Sequence, residues 1–112
     1  MLTIDALKNL GADTESGIAR CVGNEGFYLR MVTMALQDTG FEQLKAAIEE
    51  GDLDTAFERA HALKGTMGNV SLTNLFEPIS EMTNELRARK AVDYSGYLEK
   101  ISTTLDQYRA LL

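Results

Sequence analysis

Between Leu53 and Val70 the apolar positions are Ala56, Ala60, Leu63, Met67 and Val70, spaced four, three, four and three apart. That period lines one face of a helix and no face of a strand. It recurs in Leu75, Ile79, Met82 and Leu86, and in Tyr94, Tyr97, Leu98, Ile101, Leu105 and Tyr108. Phe41 to Glu50 carries Leu44, Ala47 and Ile48 on one face. The stretch that Asn24 can cap, through Gln37, carries Phe27, Met31 and Met34. Asp38-Thr39-Gly40 breaks or bends the chain between these two. Gly51-Asp52, Ser71-Leu72-Thr73-Asn74 and Ala91-Val92-Asp93 separate the others as short turns with capping residues. The single proline, Pro78, falls about one turn inside the helix after Asn74, where it bends that helix or occupies its first turn.

An apolar stripe on a helix must be buried against another element, and four stripes are buried together only in a closed bundle. The expected fold is therefore all-α: an antiparallel up-down four-helix bundle over residues 24–112. Residues 1–23 form an N-terminal cover of one or two additional short helices. The first carries Leu2, Ile4, Leu7 and Leu10 and ends at Gly11; the second is capped by Asp13 or Thr14 and contains Ile18, Cys21 and Val22.

A chain of 112 residues makes one domain, 1–112, large enough for a real core. The net charge of −6 repels a phosphate backbone, which argues against nucleic acid as a partner. No apolar run approaches the ~20 residues of a membrane span, and the N-terminus shows no signal-peptide pattern. The lone Cys21 has no internal disulfide partner, reads as a small buried side chain, and suits a reducing cytoplasm. Met1 and the tidy ends suggest a free-standing protein.

The chain's only histidine, His61, lies roughly 130° around the helical wheel from the core stripe at ~100° per residue. Gly65 and Gly68 share its outward stripe and Lys64 sits at the edge toward the core. Two interior glycines cost about 1 kcal/mol each relative to alanine. On spacing alone two readings stand. Either Gly65 stops the helix and His61 is an ordinary surface residue, or bare backbone beside an exposed imidazole admits a bulky partner. In the second reading Lys64 supplies positive charge for an anion, and the neutral imidazole is a nucleophile able to accept a phosphoryl group. Glu58 and His61 are the one pair at metal-ligand spacing, too few for a metal site. No glycine-framed serine and no cysteine at a helix start supports a hydrolase. Gly23-Asn24-Glu25-Gly26 lacks the lysine and strand context of a phosphate-binding loop.

Ala60-His61-Ala62-Leu63-Lys64-Gly65-Thr66-Met67-Gly68-Asn69 resembles the signature of histidine-containing phosphotransfer (HPt) domains. Gly17-Ile18-Ala19-Arg20 followed by Gly23-Asn24 and Tyr28, and Gly51-Asp52 before the histidine helix, extend the likeness to nearly the whole chain. The resemblance implies a four-helix bundle with an exposed histidine midway along one helix. It implies a phosphorelay intermediate of two-component signal transduction: His61 takes a phosphoryl group from a receiver aspartyl phosphate and passes it to another receiver. By the same likeness Lys64 steadies the phosphoryl oxygens, Gly65 leaves room for the receiver and Gly68 keeps the face low. Two positions depart from the pattern. Ser71 stands where many members have a small residue, often glycine. Thr83, flanked by Glu81 and Glu85, stands where many have the glutamine or glutamate that can orient the imidazole.

No kinase-type histidine box and no nucleotide loop are present, so the chain is expected to be a phosphoacceptor rather than an autonomous kinase. The implied partners are response-regulator receiver domains and a hybrid histidine kinase. The receiver brings Mg²⁺ and the acidic pocket; the chain needs no cofactor or metal ligand of its own. A monomer is expected. The docking patch is expected around His61, with Met34 and Phe41 as apolar contributors. The alternative is a bundle that docks a receiver or kinase without phosphotransfer, and it expects a histidine covered by the N-terminal segment.

Overall fold

The computed structural model describes all 112 residues and contains helices only. They are α1 Ile4–Leu10, α2 Thr14–Arg20, α3 Glu25–Leu36, α4 Gly40–Glu50, α5 Leu53–Asn69, α6 Thr73–Arg87 and α7 Ser95–Arg109. The first five start on polar caps or stop on glycine much as their sequences prescribe. Asp13, Asn24 and Asp52 accept from the backbone of α2, α3 and α5, and left-handed Gly11 and Gly51 close α1 and α4. α6 departs: Leu72 precedes it without a side-chain cap, and Pro78 lies inside it.

α3 and α4 do not pack along one another. The stretch Glu25 to Glu50, at about 1.5 Å per residue, is ~39 Å long, close to the 42 Å longest dimension of the molecule. The two therefore act end to end as one interrupted helix. Arg109, on the last turn of α7, bridges the interruption. It donates to the Leu36 carbonyl at 2.8 Å and to the Glu42 carboxylate at 2.8 Å. That hydrogen bond, more than the ionic attraction, holds the Glu42 carboxyl below its usual range.

α4 packs on α5, α5 on α6 and α6 on α7; α7 also touches α3 and α1. The core runs through this bundle as one cluster, including Leu7 from α1, Val32 and Leu36 from α3, Leu44 from α4, Ala56, Ala60, Leu63 and Met67 from α5, and Leu75, Ile79, Met82 and Leu86 from α6. No buried side-chain polar atom lacks a hydrogen-bond partner.

The stripe expected on α3 is rotated. Tyr28, Val32, Ala35 and Leu36 are buried, whereas Phe27 is exposed, Met34 is 65 % exposed and Met31 is half-buried. Phe27/Met31/Met34 and Tyr28/Val32/Ala35 have the same four-three spacing one residue apart, and tertiary contacts choose between them. Tyr28 wins because its hydroxyl donates to the Val70 carbonyl at 2.8 Å. Cys21 is only half-buried.

The N-terminal cover is tied to the end of α5. The Asp13 amide donates to the Ser71 carbonyl at 2.9 Å, and the Ser71 hydroxyl donates to the Ser16 hydroxyl at 3.3 Å. Asn74 reaches the Leu10 carbonyl and accepts from Tyr108, joining α1, α6 and α7. Ser71 itself has φ 57°, a left-handed conformation that glycine adopts freely. A glycine here, as the resemblance implies for many members, would meet that backbone need; smallness alone, which serine shares, does not.

Candidate functional site

α5 runs unbroken through Gly65 and Gly68 to Asn69, so Gly65 is not a helix stop. Ala56, Ala60, Leu63 and Met67 are buried, which fixes the opposite face outward. His61 is exposed on that face, one turn before Gly65. No hydrogen bond ties either ring nitrogen to the protein. Its ring stacks on Phe57, four residues earlier, with centroids 5.7 Å apart and 23° between planes. The guanidinium groups of Arg89 and Arg87 lie 4.7 and 5.6 Å from the centre of that same phenyl ring. Arg89, in a left-handed conformation just beyond α6, also pairs with Asp54 at 2.6 Å.

Thr83 does not orient the imidazole. It is fully buried, and its hydroxyl donates to the Ile79 carbonyl one turn back on its own helix at 2.6 Å. What bears on the ring instead is Phe57, whose i−4 placement the sequence already shows.

A concavity of about 360 Å³ is lined by Arg20, His61, Lys64, Gly65, Gly68, Asn69 and Phe76. It brings together His61, Lys64, Gly65 and Gly68 as the helical wheel places them. It adds Asn69 from α5, Phe76 from α6 and Arg20 from α2. Phe76 and Arg20 carry no local signal, because they arrive through helix packing. The molecule's two ion pairs are Arg89–Asp54 and Arg109–Glu42, so Arg20 and Lys64 face this concavity without a carboxylate partner. A second cavity, about 710 Å³, lies between α4 and α7 and does not include His61.

Phe41 is buried at 7 % exposure and lines that other cavity, which removes it from any docking patch beside His61. Met34 is exposed on α3 but does not line the His61 concavity. The apolar neighbours of His61 are Phe57 and Phe76, both half-buried.

A model of the family described as "Hpt domain" matches residues 30–111. The chain belongs to the Hpt domain family. Hpt domains are histidine phosphotransfer modules of two-component signalling rather than kinases, and they interact with receiver domains and kinases in phosphorelays. No curated protein and no solved structure matches the chain significantly. No helix is long and apolar enough to cross a membrane.

Proposed function

We propose that His61 is the phosphoacceptor of a cytoplasmic phosphorelay, taking a phosphoryl group from one receiver aspartyl phosphate and delivering it to another receiver aspartate. The observation that carries this reading is a lone, exposed imidazole with free ring nitrogens, beside an unpaired lysine and a helix face open at Gly65. The lone pair of one ring nitrogen attacks phosphorus. The P–O bond to the receiver carboxylate breaks, and that carboxylate leaves with the bonding pair. The proton on the other ring nitrogen stays there during the step. The return transfer runs the same sequence backward onto a second carboxylate.

Lys64 sits one turn from His61 and offsets negative charge on the phosphoryl oxygens. Gly65 lets the receiver's loops approach the ring. Mg²⁺ and the acidic pocket belong to the receiver, and positioning with charge stabilisation does most of the catalytic work. The exposure of His61 supports transfer over mere docking, since the docking-only alternative expects a covered histidine.

The test uses purified receiver domains phosphorylated with labelled acetyl phosphate. The protein should gain an acid-labile, base-stable label that His61→Gln does not take up. Lys64→Ala should slow uptake and leave the helical signal intact. Labelling of His61→Gln at the wild-type rate would remove His61 from the mechanism.

A further inference from the structure

Arg20 lies outside the residues that match the family model, yet it lines the same concavity as His61. We propose that Arg20, carried by the N-terminal cover, is a second phosphoryl-binding residue of the His61 face, acting with Lys64 from the other helix. The proposal rests on His61 being the phosphoacceptor.

The placement of Arg20 is built, not incidental. It occupies the last turn of α2, and α2 is fastened to the C-terminal end of α5 at several points. Gly17 lies against the Tyr28 ring so closely that a Cβ there would fall 2.2 Å from a ring carbon. The same Tyr28 hydroxyl is bonded to Val70, just beyond α5. Asp13 and Ser16 hold Ser71, the next residue along. Arg20 follows Gly17 by three residues and Ser16 by four, so these contacts set the direction from which it approaches.

Its chemistry fits a phosphoryl group. Arg20 makes no ion pair, as is true of most basic side chains here, so its guanidinium is free to bind an anion in the concavity that it lines with His61. A guanidinium presents a planar fork of donors that matches two phosphoryl oxygens, where Lys64 supplies a point charge. Both cations line the concavity that the His61 ring also lines, where a phosphoryl group on that ring would meet them. The competing role is local: a cation in the last turn of α2 complements that helix's dipole, with no effect on His61.

The experiment compares wild type, Arg20→Gln, Arg20→Lys and Lys64→Ala in the whole 112-residue chain. Phosphorylated receiver domains serve as donors, and the product is followed by ³¹P NMR. Arg20→Gln should accept label roughly tenfold more slowly and Arg20→Lys within about threefold of wild type. The pH midpoint of the phosphohistidine ³¹P shift should move upward in Arg20→Gln, because a neighbouring cation favours the dianion. Thermal denaturation checks that the variants fold alike. Wild-type rate and an unmoved ³¹P midpoint in a folded Arg20→Gln protein would overturn the Arg20 role while leaving His61 intact. Absence of label on the wild type would overturn the His61 reading and this inference together.

Discussion

Gly65 and Gly68 sit three residues apart on the outer face of α5, and their surroundings differ. A Cβ built at Gly65 meets nothing within 4 Å; one built at Gly68 meets the Phe76 ring at 3.3 Å. The lack of a side chain at Gly68 is therefore answered inside the molecule, by an aromatic ring of α6 lying over the helix. At Gly65 nothing in the folded chain requires it. A glycine in an exposed helix interior costs about 1 kcal/mol relative to alanine, and at Gly65 no internal contact offsets that cost. A receiver approaching His61, as proposed above, would supply that need from outside. Gly17 extends the contrast to its other extreme, with the Tyr28 ring where its side chain would be.

The largest expected effect is at Gly17. Gly17→Ala forces either Tyr28 or α2 to move and should cost about 2–3 kcal/mol in urea denaturation. Because α2 carries Arg20, the surviving folded protein should also transfer more slowly. A loss below 0.5 kcal/mol would show that α2 is not seated on Tyr28.

The clamp around Tyr28 should also register as a pH dependence. Burial, with smaller contributions from nearby Tyr108, Cys21 and Asp13, pushes the Tyr28 phenol up to about 12. Burial likewise carries Tyr108 to about 12 against the opposing hydrogen bond to Asn74. A raised folded-state value means the unfolded chain loses these protons first. Stability is full below about pH 10 and falls as pH rises toward 12. Tyrosinate absorbance should show two of the four tyrosines ionising last, and Tyr28→Phe should flatten the decline in denaturation midpoint. Four tyrosines titrating together near pH 10 would contradict the burial.

A smaller effect is expected at Gly68. Gly68→Ala gains helix propensity and pushes on Phe76, which is half-buried and can shift. The two should nearly cancel, leaving stability within about 0.5 kcal/mol. A gain near 1 kcal/mol would mean that Phe76 does not constrain this position, and the difference between the two glycines would disappear.

These contrasts also mark what the sequence alone could convey. The inner face of α5 was legible because Ala56, Ala60, Leu63 and Met67 follow one helical period, and the outer face follows from it. The stripe on α3 was not, because two overlapping stripes satisfy the same period and only the Tyr28–Val70 contact selects one. Phe57 was within reach of the pattern, one turn before His61. Arg20 and Phe76 were not, since each enters the His61 concavity from another helix. The likeness to relatives pointed to Thr83 as the place to seek an orienting group, and burial with a bond to its own helix removes it. Ser71 shows the converse: its left-handed backbone is a requirement that side-chain size does not express.

The direct test is Gly65→Ala, measured twice on one preparation: stability by urea denaturation and phosphoryl uptake from a phosphorylated receiver. If the open face of α5 exists for a partner, stability should rise by roughly 0.5–1 kcal/mol while uptake falls at least tenfold. Uptake at the wild-type rate in the stabilised variant would contradict it.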